Sequence, residues 1–294
     1  MMTDPYLQKD NQIELAEIWR FPVKGFVGER LEEIEAVENS LLPHDRAFAL
    51  TTGHPLTHEK LAEGWLAKRH FIQLLREERC AEFAFRLTDN GQCLSLYHKG
   101  KKMAQAPIED RASLSKALYD FMPDAFTSQP ILSQPILSQL AKGGYSDTSA
   151  PWITLGGRAS LEAFARLTGT ETSASRFRLN LILATDTAFI EQGWAGKIIA
   201  IGDVHLEIIE PVGRCGAISV NPQTGQRERD YLPEMEQAWG HTDLGMFARI
   251  CQGGVLKERN CNKKPPKGWG QRRDKKKKKK GKKKLKKKKK KKKR

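Results

Sequence analysis

The pair Arg214-Cys215 offers the most reactive chemistry in this chain of 294 residues: a thiol with a guanidinium as its immediate neighbour. A fixed cation favours thiolate over thiol, and thiolate is the form that ligates a soft metal or attacks an electrophile. The alternative, a cysteine packed as a small hydrophobe, stays open on this stretch alone. Three further cations, Lys24, Arg46 and Arg178, each stand at a turn or strand end, and Asn180 and Thr224 add neutral donors. Singly, each reads as a solvated surface charge. Together with Arg214 they suit a buried polyanion such as a phosphate, because guanidinium forks and ammonium groups are its usual partners.

The elements that must position these groups read mainly as strands. Val204 to Ile209 alternates in the period of a half-buried strand, which Pro211 and Gly213 are expected to break. Arg214 and Cys215 would then lie at the mouth of a second apolar run, Ala217 to Val220, closed by the turn Asn221-Pro222-Gln223-Thr224-Gly225. Lys24 is expected to be exposed at the start of a turn joining strands over Ile13 to Phe21 and Leu31 to Val37, and Asp45 to Leu50 reads as a third strand. A helix is expected from Thr57 through Leu75, a hairpin across Asp89-Asn90-Gly91, and helices over Ser113 to Phe121 and Ser160 to Thr168. The run Arg176 to Leu183 reads as a strand with Arg176, Arg178 and Asn180 at its mouth. Frequent strands with few helices predict a mainly β fold with some α, that is α+β.

The tandem Ser128-Gln129-Pro130-Ile131-Leu132 and Ser133-Gln134-Pro135-Ile136-Leu137 is a duplication that only a surface connection tolerates well. It places a linker at 128–148 between a domain at 12–127 and another at 149–260. The formal charge of +16 comes from the end of the chain: residues 263–294 hold 23 of the 51 Lys and Arg and one of the 35 acids. The remainder has 28 basic and 34 acidic side chains, a balance of −6, which implies no basic surface for specific nucleic-acid binding. The tail itself is expected to be disordered and to bind polyanions nonspecifically at most, and its adenine-rich codons also fit an accidental terminus. Five cysteines without a CxxC pair exclude a disulfide framework and a classical zinc site. No apolar run approaches the roughly 18 residues of a membrane span, so a cytoplasmic protein is expected.

Five motifs in order carry a family resemblance: Phe21-Pro22-Val23-Lys24-Gly25, Asp45-Arg46-Ala47-Phe48, Arg176-Phe177-Arg178-Leu179-Asn180, Trp194-Ala195-Gly196-Lys197 with Ile201-Gly202-Asp203-Val204, and Arg214-Cys215 with Asn221 to Gly225. They resemble the MOSC proteins, in particular the mitochondrial amidoxime-reducing components and the bacterial YcbX-like proteins, over residues 13 to about 257. The resemblance implies an amino-terminal β-barrel-like domain followed by a MOSC β-barrel domain. It also implies a molybdenum–molybdopterin cofactor (Moco) whose metal is held by Cys215, which is thereby both metal ligand and catalytic residue. Lys24, Arg46, Arg178 and Asn180 would anchor the phosphate and pterin, with Arg214 and Thr224 also beside the cofactor. The implied activity is reduction of small N-hydroxylated compounds such as amidoximes and hydroxylamines. The alternative within the family is a noncatalytic carrier of Moco or sulfur, and the family also carries a pyridoxal phosphate label. Two departures stand out: Gly25 replaces a common serine and Leu179 a common proline. No cysteine cluster of an iron–sulfur domain follows Cys261, so electrons are expected from a separate flavin or iron–sulfur protein.

Overall fold

The computed structural model describes residues 13–61, 66–133 and 144–258. The second copy of the tandem repeat after Ser133 and the lysine-rich tail lie outside the described residues. The amino-terminal stretch forms β1 (Leu15–Arg20), β2 (Glu29–Leu31), β3 (Glu33–Ala36), β4 (Ala49–Leu50) and α1 (Pro55–Lys60). It continues with β5 (Phe83–Thr88), β6 (Cys93–His98), β7 (Lys101–Pro107), α2 (Arg111–Phe121) and β8 (Leu132–Ser133). Next come β9 (Ile153–Gly157), α3 (Arg158–Thr168), α4 (Ala174–Phe177) and β10 (Leu181–Leu183). The last group is β11 (Ile198–Ile201), β12 (Val204–Gly213), α5 (Leu232–Trp239), β13 (Asp243–Gln252) and β14 (Gly254–Lys257). The fold is thus α+β, sheet-rich as the sequence predicts.

A seven-stranded sheet in the order β11-β12-β13-β9-β10-β1-β2 forms the frame. Its pairs are antiparallel except β9 with β10. That parallel pair is joined by α3 and α4, as a parallel crossover requires. Inward side chains of this sheet, among them Leu15, Leu155, Leu181, Leu206 and Met246, share one core with Ile34 and Leu256 of the β3–β14 pair. A second core lies under the β5-β6-β7 sheet and α2, built on Phe26, Phe83, Phe85, Leu114 and Leu118. Strand pairing crosses the 128–148 segment: β1 and β2, though early in the chain, are strands of the larger sheet.

Several local expectations are corrected. Of the helix expected from Thr57 to Leu75, the described residues show α1, which ends at Lys60, and a 3-10 turn at Lys68–His70, while residues 69–75 are not α-helical. Phe71 instead bridges to Thr51, and Ile72 N donates to Leu50 O at 2.8 Å. The helical spacing misled because Phe71 and Ile72 are neighbours that enter two different cores. Residues 45 and 46 turn rather than extend, and extended pairing begins only at Phe48, which bridges Val23: Arg46 has φ 48°, and Asp45 Oδ1 accepts Phe21 N at 2.8 Å. β12 runs through Pro211 to Gly213, because register shifts beside Pro211 absorb its missing N–H. The Arg176 motif is a single helical turn, α4, and Ala217 is within a 3-10 turn at Gly216–Ser219 rather than a strand.

Candidate functional site

Lys24 is buried, not exposed as expected. The Pro22–Gly25 turn carries it inward, where Nζ donates to Tyr145 O at 3.0 Å and to Asp147 Oδ1 at 2.7 Å. The turn at Arg46 brings a second cation to the same place. Its Nη1 donates to Asn180 Oδ1 at 3.0 Å and pairs closely with Asp45, and its Nη2 donates to Arg178 O at 2.7 Å. Arg178 caps α4 in the left-handed region, φ 54°, so its side chain leaves the helix axis and turns toward the amino-terminal elements. There Nη1 donates to Phe26 O at 2.5 Å. The Arg46 and Arg178 guanidinium carbons stand 4.7 and 4.6 Å from the centroid of one ring, Phe21.

Asn180, fully buried, locks this arrangement to the sheet. Its Oδ1 accepts Thr154 N at 3.1 Å and Thr154 Oγ1 at 3.0 Å besides Arg46, and its Nδ2 donates to Trp19 O at 3.2 Å. Arg214 follows β12, and its fork is directed at protein: Nε donates to Leu244 O at 2.8 Å, Nη2 reaches the same carbonyl, and Nη1 donates to Phe177 O at 2.8 Å. Gly245, at φ +81°, makes room, since a Cβ there would lie 3.2 Å from Arg214 Nη2 and 2.6 Å from Leu155 O. Arg214 therefore fixes the turn that presents Cys215, which is half-buried and free, in extended backbone at the head of the 3-10 turn.

The electrostatics show a cluster with too few anions. Burial, followed by the neighbouring Arg46 charge, lowers the Arg178 pKa to about 10. Burial likewise lowers Arg214 to about 10, and it lowers Lys24 even though Asp147 opposes the shift. Burial alone would raise the Asp147 carboxyl, but the Lys24 charge and hydrogen bond, then Arg46 and Lys68, hold it well below the usual carboxylate range. Asp147 interacts with all four cations of the group, yet two thirds of its side chain is open to solvent. Asp147 thus opens the cation group to solvent, and the four cations share Asp45, Asp147 and, beside Arg214, Asp243. Among the described residues, Arg178 Nη2 is buried with no hydrogen-bond partner. A donor left in that state costs about 1–3 kcal/mol, more when charged, so the cluster suits an acceptor-rich anion.

The structure thus brings together Lys24, Arg46, Arg178 and Asn180, with the Arg214-Cys215 turn beside them. Thr224 is placed differently: it is exposed at a hairpin tip, where its hydroxyl accepts Gln226 N at 3.3 Å. Asp147 and Thr154 were missed by sequence reading. Thr154 carries no charge or motif to mark it, whereas Asp147, the one acid in its serine-rich stretch, was a signal that could have been followed. Among the described residues no group of three or more His, Cys, Asp or Glu converges as a metal site.

Residues 152–259 match the family model of the MOSC domain. Molybdenum cofactor sulfurase of Bos taurus is 36% identical over 63 residues, covering 21% of this chain and 7% of that protein. Mitochondrial amidoxime-reducing component 1 of Danio rerio is 27% identical over 147 residues, covering 47% of this chain and 44% of that protein. The chain therefore spans less than half the length of these relatives. The solved structure of the YUAD protein from Bacillus subtilis aligns with 84% of this chain and 92% of its own at 9% identity, with a TM-score of 0.36.

Proposed function

From the premise that this chain carries a MOSC domain, we propose that it binds the molybdenum cofactor and reduces small N-hydroxylated compounds with electrons from a separate donor protein. The observation that carries the reading is the buried Arg178 Nη2 without a partner, in a group where cations outnumber carboxylates. Such a group fits a phosphate-bearing cofactor, whose oxygens would complete Arg178 and offset the positive charge of Lys24 and Arg46. The name of the Danio rerio relative supports the substrate class.

Bound there, the cofactor would supply two-electron, oxygen-abstracting chemistry at a metal with Cys215 as its protein ligand. The overall reaction takes an N-hydroxyl compound, two electrons and two protons to the N–H compound and water. The chain's own contribution is positional. Arg178, Arg46 and Lys24 hold the anionic end, Asn180 fixes Arg46, and Arg214 anchors the Cys215 turn to the Leu244 and Phe177 carbonyls. The thiol itself is half-buried, so it is not sealed from an incoming group. Pyridoxal phosphate has no part in this reading.

The test is expression of the full chain in a host that makes the cofactor, with molybdenum content and benzamidoxime reduction by a chemical donor as readouts. Near-stoichiometric molybdenum is expected, with both metal and turnover lost in Cys215→Ala. A metal-free wild-type protein sinks the proposal. Molybdenum without turnover would instead favour the carrier reading, in keeping with the sulfurase similarity.

A further inference from the structure

The Asn221 to Gly225 motif forms a tight hairpin. Asn221 N donates to Gln226 O at 2.8 Å, Gly225 N to Asn221 O at 2.9 Å, and Val220 bridges to Arg227. This hairpin returns Arg227 over the residues that follow Cys215. There Nη1 donates to Gly216 O at 3.1 Å, and Nη2 donates to Leu74 O at 3.2 Å and Leu75 O at 2.9 Å. Nε pairs with Glu78 at 3.3 Å.

The acceptors on the far side belong to one segment, 72–78. Ile72 N is tied to Leu50 O, and Arg76 N and Glu77 N both donate to Gln73 O at 3.0 Å. One end of the segment crowds Gly25, beside Lys24: Ile72 O lies 2.8 Å from where a Cβ on Gly25 would stand. At the other end, Leu75 Cδ1 lies 3.3 Å from the corresponding point on Gly216, beside Cys215. The segment therefore walls the site from its anion end to its thiol end, and Arg227 is the side chain that ties it to the thiol end.

The geometry points to Arg227 as a second positioning residue of the Cys215 turn, beside Arg214. By clamping the Gly216 carbonyl to the Leu74 and Leu75 carbonyls and the Glu78 carboxylate it seats Leu75 against that turn, and so sets how widely the thiol is open to an approaching molecule. Leu75 is then the apolar wall that selects among substrates by size. The inference rests on Cys215 being the working thiol of the proposed function, but its test needs no metal.

In the metal-free full-length protein, alkylation by iodoacetamide is followed at each cysteine by peptide mass spectrometry. Arg227→Ala is expected to speed modification of Cys215 by about fivefold or more, the signature of a local opening. The rates at Cys93 and Cys251, also half-buried and free, should stay at wild-type values. Arg227→Lys should recover part of the protection, because an ammonium can meet some of the carbonyls but cannot present the fork. An unchanged Cys215 rate in folded Arg227→Ala overturns the inference, as does an equal rise at all three cysteines. Should that variant fail to fold, Leu75→Ala opens the same wall and must give the same selective rise, or the inference falls. A wild-type protein that never takes up molybdenum would refute the proposed function and leave this outcome readable.

Discussion

Position 25 shows how closely the backbone is drawn at the anion end of the site. Gly25 has φ +89°, and a Cβ would come within 2.8 Å of Ile72 O and 3.0 Å of Gln73 Cα. The serine that the resembling family commonly has here cannot be accommodated unless the 72–78 segment moves. Gly25→Ser is expected to cost about 2–3 kcal/mol, combining left-handed strain with displaced backbone. Urea unfolding measures this, and a loss below about 0.5 kcal/mol, the level of an ordinary surface change, would refute it. At this scale Lys24, Arg46, Arg178 and Asn180 were legible in the sequence, because charged and amide groups recurred at turns in a body that is otherwise acidic. The burial of Lys24 was not legible, since its carboxylate partner Asp147 is 123 residues away in a serine-rich stretch that reads as linker. Thr224 stands exposed in its turn, and the side chain that the same hairpin brings to the Cys215 turn is Arg227.

Between elements, Glu228 joins three pieces that must agree if Cys215 is to be held. Its carboxylate accepts Arg176 Nη1 from α4 at 2.9 Å, Asn221 Nδ2 at 2.9 Å and Tyr231 OH from the start of α5 at 2.7 Å. Arg176 Nη1 also donates to Ile218 O at 2.8 Å, in the 3-10 turn after Cys215. Burial alone would raise the Glu228 pKa, but these three hydrogen bonds outweigh it and lower it, while Tyr231 is pushed up to about 12 by burial and by Glu228. A carboxyl whose folded pKa is depressed contributes stability above its unfolded pKa and loses it as pH falls through the folded value. Glu228→Gln is therefore expected to cost about 1–2 kcal/mol at pH 7, discounted for partial exposure, with the deficit closing below about pH 4. Urea midpoints at pH 7 and 3.5 check this, and a deficit that does not depend on pH would refute it. None of this network was visible as an element in the sequence. The Ala217–Val220 run has a strand's composition, yet Arg176 holds its carbonyls in a 3-10 turn, and tertiary contacts outrank so short a local preference.

At the scale of the whole described fold, the cation cluster is where distant parts of the chain meet. Lys24 and Arg46 come from turns beside β1 and β4, Asp147 from the segment before β9, Arg178 from α4 and Arg214 from the end of β12. Early and late strands meet in the same seven-stranded sheet, β1 and β2 beside β10. An anion in the cluster should therefore stabilise the molecule as a whole, because it removes the cost of gathering those cations. Lys24, Arg178 and Arg214 all have pKa values lowered by burial, the two arginines to about 10. A bound dianion raises these values toward normal, so the complex holds more protons than the free protein. Binding is consequently full at neutral pH and is lost as pH rises through about 10, where the free cluster begins to shed its protons. Saturating pyrophosphate is expected to raise Tm by about 2–4 °C at pH 7.5 and by progressively less toward pH 10. The full chain with Arg178→Met is the control, since it keeps the lysine tail and any nonspecific binding there while deleting the unpartnered donor. An equal rise in wild type and Arg178→Met would locate the anion outside the cluster. A wild-type rise that grows with pH would reverse the sign of the linkage and refute the cationic account of the site.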